Sequence, residues 1–133
     1  MTTNIGNVID PFYRYKRPVA IILNKGKSTI IENIKDIAMA LHTKESYMLY
    51  YIQLEKSIPI TSKGAIKANM NKNEIEKIIN DYIEKYILCN KCNYPELVTK
   101  KDNKKLYFSC NSCGNAIDIV EDKFTKIIYK DYK

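Results

Sequence analysis

Four cysteines punctuate this sequence, as Cys89-Asn90-Lys91-Cys92 and Cys110-Asn111-Ser112-Cys113. The two C-x2-C pairs are separated by seventeen residues, a spacing that matches the four-thiolate zinc pattern. Two thiolates three residues apart chelate one ion from a tight turn, and a second such turn completes a tetrahedral sulfur shell with Zn–S near ~2.3 Å. Cys89, Cys92, Cys110 and Cys113 are therefore expected to hold one Zn2+. Closing all four positions with sulfur leaves no place for a reactive water, so the ion is structural rather than catalytic. The competing reading, two disulfides or four buried thiols, suits an oxidising compartment, and Met1-Thr2-Thr3-Asn4 opens no apolar signal run.

The elements that must position these thiols fit one domain or two small ones in 133 residues. A net charge of +7 points to an acidic partner, nucleic acid being the usual one, although many lysines only solvate a surface. No apolar run approaches the roughly 18 residues of a membrane span, which excludes a helical membrane protein. The cytosol is the expected location, with the nucleus second, and a monomer is the expected state.

Residues 1–18 show neither helical nor strand periodicity, lie between and around Pro11 and Pro18, and read as an extended, mobile tail. Aromatics and cations alternate through Phe12, Tyr13, Arg14, Tyr15 and Lys16. Either these aromatics dock on a partner, or Phe12 and Tyr13 pack back on the following domain and leave Arg14 solvated. Residues 19–86 read as a small α/β domain, two hairpins packed on three helices. The first hairpin joins Val19–Leu23 to Thr29–Ile31 through Asn24-Lys25-Gly26-Lys27, the second joins Ile58–Thr61 to Ala65–Lys67 around Ser62-Lys63-Gly64. Ile34, Ile37, Ala38 and Leu41 mark a helix behind an N-cap at Asn33, and Tyr47, Tyr50, Tyr51 and Leu54 mark a second, with the tyrosines as core. Asn71 with Glu74 forms a capping box for a third, whose stripe runs from Ile75 to Tyr86. Residues 87–133 then read as a zinc ribbon of four strands: Leu97–Thr99, Leu106–Phe108, Ala116–Val120 and Phe124–Ile128. Gly114 follows Cys113 where a knuckle needs positive φ. The fold class is α+β.

No independent catalytic site is legible. Paired carboxylates are lacking, zinc takes every thiol, and Lys25-Gly26-Lys27-Ser28 lacks the upstream glycine of a phosphate loop. The lysines at the hairpin tip suit phosphate contacts, but a solvated turn is the commoner explanation.

Taken together, Phe12-Tyr13-Arg14-Tyr15-Lys16 with Pro18, the segment Asp36 to Leu41, and Tyr86-Ile87-Leu88-Cys89 entering the ribbon resemble the domain shared by translation initiation factor 5 and the β subunit of initiation factor 2. The aromatic-basic string resembles the factor 5 branch. The resemblance implies that Arg14 acts as an arginine finger in trans, activating GTP hydrolysis by the γ subunit of initiation factor 2, with Phe12, Tyr13, Tyr15 and Lys16 contacting the partner. A fixed guanidinium neutralises charge on the transferring phosphoryl group, which is worth ~10³–10⁵ in rate. It also implies docking on the small ribosomal subunit beside initiator tRNA, through Lys25, Lys27 and Lys63. Two positions depart from activating members: Ser28 and Tyr50 stand where assisting lysines are found. A catalytically silent ribosome-binding mimic and a β-subunit analogue remain the alternatives. The chain ends at Lys133 without the C-terminal helical-repeat domain of factor 5, which reads as a short form or a fragment.

Overall fold

The computed structural model of the protein describes residues 2–6, 9–10 and 12–131; Met1, Pro11 and Lys133, which the sequence reading used, lie outside them. Its centre is α3 (Lys72–Tyr82), and the reasons lie in its sequence. Asn71 Oδ1 accepts the Glu74 N–H at 2.9 Å while the Glu74 carboxylate accepts the Asn71 N–H at 3.5 Å, so the capping box is complete. Ile75, Ile78, Ile79 and Tyr82 recur on one face and are buried. That face packs against α2 (Glu45–Lys56), which buries Tyr47, Met48, Tyr51 and Ile52, and α2 packs in turn against α1 (Ile34–Ala40), which buries Ile37 and Ala38. The tyrosines of α2 are thus core residues, Tyr50 being half-buried.

Two short antiparallel ribbons cover these helices. In β3 (Ile22–Lys25) and β4 (Ser28–Ile31) the register runs from Ile22 opposite Ile31 to Lys25 opposite Ser28, and Gly26 turns the corner at φ +58. Asn33 holds the N-cap position of α1, its carbonyl accepting the Ile37 N–H, but its side chain makes no capping bond. Its side chain accepts the Ile21 N–H and donates to the Val19 carbonyl, tying the hairpin to the helix start. The second hairpin is reduced to a bridge between Ile60 and Ile66, because Ile66 also pairs with Thr29 and so joins the first sheet. Buried Thr29 holds this junction: its hydroxyl donates to the Ala68 carbonyl and accepts the Met70 N–H.

The N-terminal segment is not the unstructured tail that its composition suggested. Here β1 (Thr2–Asn4) pairs antiparallel with β2 (Lys16–Pro18), and Ile5 is a core residue only 3% exposed. The sequence shows no strand period here because only one residue of β2, Arg17, is buried, and it is charged.

The last turn of α3 widens into a π turn, Ile83–Ile87, in which the Leu88 N–H reaches back to Ile83. Leu88 leads directly to Cys89. Beyond it β5 (Leu97–Asp102), β6 (Lys105–Cys110) and β7 (Ala116–Asp118) form one antiparallel sheet in the order β5-β6-β7. The expected fourth strand is instead a helix, α4 (Thr125–Asp131). Asp122 decides this, because its carboxylate accepts the N–H groups of Phe124 and Thr125 and so starts a helix. Phe124 and Ile128, spaced at helical period, then face the core. The architecture is mixed α+β, with a four-cysteine ribbon following the α/β part.

Candidate functional site

Two knuckles of matching geometry bring the thiols together. In one the Asn93 N–H donates to the Cys89 carbonyl at 2.9 Å; in the other the Gly114 N–H donates to the Cys110 carbonyl at 2.9 Å. Asn93 and Gly114, each following the second cysteine of its pair, both take positive φ (62 and 77), as the turn requires. The four sulfur atoms lie within 4.8 Å of one another, and the pairs Cys89–Cys113 and Cys92–Cys110 are 3.6 Å apart. Four sulfurs bound at ~2.3 Å to one tetrahedral ion stand about 3.8 Å apart, so the cluster fits the sulfur shell of a single zinc-sized cation. All four are free thiols rather than disulfides.

Their acidity agrees with that fit. Burial opposes ionisation of Cys89, yet the backbone N–H groups of Cys92 and Lys91 and the neighbouring thiols outweigh it, and its thiol falls to about 6. At Cys92 the backbone at Tyr94 favours the thiolate, but desolvation and three crowding sulfurs prevail and push it up to about 12. Four sulfurs that cannot ionise together without a counter-charge are what a dication satisfies.

The arginine segment sits on a loop closed by β1 and β2. Asp10 organises it: its carboxylate accepts the Phe12 N–H, and its carbonyl accepts from the Asn4 side chain and the Tyr13 N–H. Phe12 projects from it, 91% exposed. Tyr13 is half-buried against Tyr15, edge to face at 5.5 Å. Arg14 is exposed, and its guanidinium lies 5.0 Å from the Tyr15 ring centre; among the described residues it makes no hydrogen bond or ion pair. Tyr15 turns inward. Its hydroxyl donates to Glu96 at 2.6 Å, and that bond, with desolvation, raises its pKa. Lys16 is exposed and stands opposite Asn4. Together Arg14, Tyr15, Lys16, His42 and Glu96 line a recess of about 190 Å³.

Sequence reasoning passed over Arg17. It is 1% exposed and holds Glu76 with both terminal nitrogens, at 3.0 and 3.3 Å, and Asn80 at 3.2 Å. The signal was present as Glu76 and Asn80 four residues apart on α3, but nothing in the sequence paired them with residue 17.

Lys25, Lys27 and Lys63 are exposed at loop tips, the first two beside Gly26 and the third beside Gly64. The junction at Thr29 and Ile66 ties the two loops to one another. Ser28 ends the first turn as the partner of Lys25. Tyr50 is engaged internally: its ring stacks on Phe124 at 6.2 Å, and its hydroxyl donates to the Lys123 carbonyl.

A four-thiolate ribbon abutting a small α/β domain, with an aromatic-basic segment folded across both, defines a narrow class. The family described as the domain found in initiation factors 2B and 5 matches residues 6–116, and the chain belongs to that family. It is similar to eukaryotic translation initiation factor 5 of Caenorhabditis elegans, at 30% identity over 98% of this chain and 33% of that protein. It is also similar to eukaryotic translation initiation factor 2 subunit 2 of Drosophila melanogaster, at 28% identity over 80% of this chain and 36% of that protein. Against translation initiation factor 2 subunit beta of Natronomonas pharaonis the identity is 28%, over 76% of this chain and 78% of the other. The chain thus spans about a third of the length of these two eukaryotic relatives. Among the described residues no helix is long and apolar enough to cross a membrane.

Proposed function

We propose that the protein acts in translation initiation in the cytoplasm, as a factor 5-like activator of GTP hydrolysis by initiation factor 2. In this reading residues 1–18 present Arg14 to GTP on the γ subunit, with Phe12 and Tyr13 as the partner contact. Residues 19–86 dock on the small ribosomal subunit near initiator tRNA through Lys25, Lys27 and Lys63, and residues 87–133 brace the segment. Zinc held by Cys89, Cys92, Cys110 and Cys113 would supply structural cross-linking and no chemistry. The observation that carries the reading is the contrast between two nearby arginines. Arg17 is buried and its two terminal nitrogens are engaged by Glu76 and Asn80, while Arg14 is exposed and unpaired among the described residues, held only by a weak ring contact. An arginine that acts in trans needs that freedom and a planar fork of donors, which lysine lacks. The factor 5 relative also matches nearly the whole chain, arm included.

Single-turnover GTP hydrolysis with reconstituted initiation complexes tests this. Arg14→Ala is expected to lower the stimulated rate by ~10³-fold while binding stays near wild type; equal stimulation by both proteins removes the reading. The second reading, a β-subunit-like or catalytically silent docking protein, is favoured by Tyr50, whose ring and hydroxyl are both engaged by the C-terminal segment. It predicts co-sedimentation with the small subunit and no effect on hydrolysis.

A further inference from the structure

Exposure alternates along the arm: Arg14 and Lys16 face outward, while Tyr15 is half-buried and Arg17 fully buried. Residues two apart in an extended segment point the same way, so Tyr15 and Arg17 share the inner face. That face carries polar tips where an ordinary half-buried strand would carry aliphatic ones.

Each tip engages a different half of the molecule. The Tyr15 hydroxyl donates to Glu96, and its ring tilts against Tyr94 at 5.7 Å. Both residues follow the first cysteine knuckle and are tied to the thiol turns: the Cys89 N–H donates to the Tyr94 carbonyl, and the Asn111 N–H from the second knuckle donates to the Glu96 carbonyl. Arg17 instead grips α3 through Glu76 and Asn80, and Glu76 also accepts the Ala20 N–H. Between these anchors the backbone is fixed too, since the Ile5 N–H donates to the Tyr15 carbonyl at 2.9 Å.

A buried ion pair is a poor way to gain stability, since an apolar side chain of like volume commonly does as well, and here Nε of Arg17 finds no partner among the described residues. What directional bonds supply is a fixed position. Resting on the arginine-finger reading, we propose that Tyr15 and Arg17 are positioning residues that clamp the Arg14 segment to the cysteine ribbon on one side and to α3 on the other. The finger is then aimed by the relative placement of two modules, and its geometry depends on an intact thiol cluster as well as on the helical core.

The experiment is the same single-turnover hydrolysis assay with the full zinc-loaded chain, titrated to saturation. Tyr15→Phe, which removes one oxygen, and Arg17→Met are each expected to lower the maximal stimulated rate by about ten- to a hundredfold, the cost of a misplaced group. The concentration for half-maximal stimulation should stay within about twofold. Arg17→Lys, which keeps the charge without the fork, should fall between wild type and Arg17→Met. Full maximal rates in both variants, or a shift in half-maximal concentration alone, overturn the clamp while Arg14→Ala still abolishes stimulation. An Arg14→Ala protein as active as wild type overturns the finger reading and the clamp with it. Should Arg17→Met fail to fold, Tyr15→Phe alone decides.

Discussion

The two halves of this molecule are held together by different means. The α/β half buries a continuous set of aliphatic side chains, with Ile37, Ile66, Ile75 and Ile83 each at 0% exposure. The cysteine half has a three-stranded sheet whose deeply buried apolar side chains are few, chiefly Leu106 and Phe108, and Cys89 and Cys110 are more deeply buried than either. A segment of this size cannot bury enough to offset its conformational entropy unaided. The difference teaches that one half carries an apolar core of its own, while the other leans on its thiol cluster and on a neighbour. The neighbour is visible: Phe124, at the start of α4, sits among Tyr51, Tyr82 and Tyr86 of the helical core, 4.6 Å from the Tyr86 ring centre.

Removing metal should break the comparison most visibly. Structural zinc contributes an apparent ~10–16 kcal/mol to small four-ligand modules. Chelation, or Cys110→Ser, is therefore expected to abolish amide-exchange protection across β5–β7 while α2 and α3 stay protected. Uniform loss in both halves, or none in either, would show that the division is wrong. Next in size is Phe124→Ala, expected to cost about 3–5 kcal/mol in denaturant unfolding of the metal-loaded protein, as for other buried aromatics. A cost under about 1 kcal/mol would mean that the tyrosine cluster closes without it.

The smallest effect concerns the end of α4. The Tyr47 hydroxyl donates to Asp131 at 2.5 Å and Lys44 lies 3.0 Å from it; these bonds lower the Asp131 pKa, the tyrosine contributing most. A carboxylate whose folded pKa is depressed adds stability above its unfolded value, near ~3.9, and loses it as pH falls through the folded value. The stability difference between wild type and Asp131→Asn should thus be present at neutral pH and shrink below about pH 4. A difference independent of pH would assign the contact to packing.

How much of this was legible in the sequence depended on whether the signal was local. The capping box of α3 and the C-x2-C turns are defined within a few residues, and both stand as the spacing implied. The β1–β2 pairing and the Arg17–Glu76 bond link residues far apart in the chain, and no local pattern marks them. In α4 a helical reading was available, but Phe124 to Ile128 is short and apolar, and such runs do not separate strand from helix by periodicity. The polar stretch Glu121-Asp122-Lys123, which holds the start signal, suits a turn as well as a helix start. Tyr15 was legible as an aromatic, but its inward bond to Glu96 spans 81 residues.

The π turn Ile83–Ile87 leaves no slack between the helical rod and the first sulfur ligand. Regular helix advances by about 100° per residue, so adding or deleting a single residue there would swing Cys89 away from its three companions. The length of this rod is consequently pinned by the thiol cluster at its end, and the widened turn is the gear that sets the two in phase.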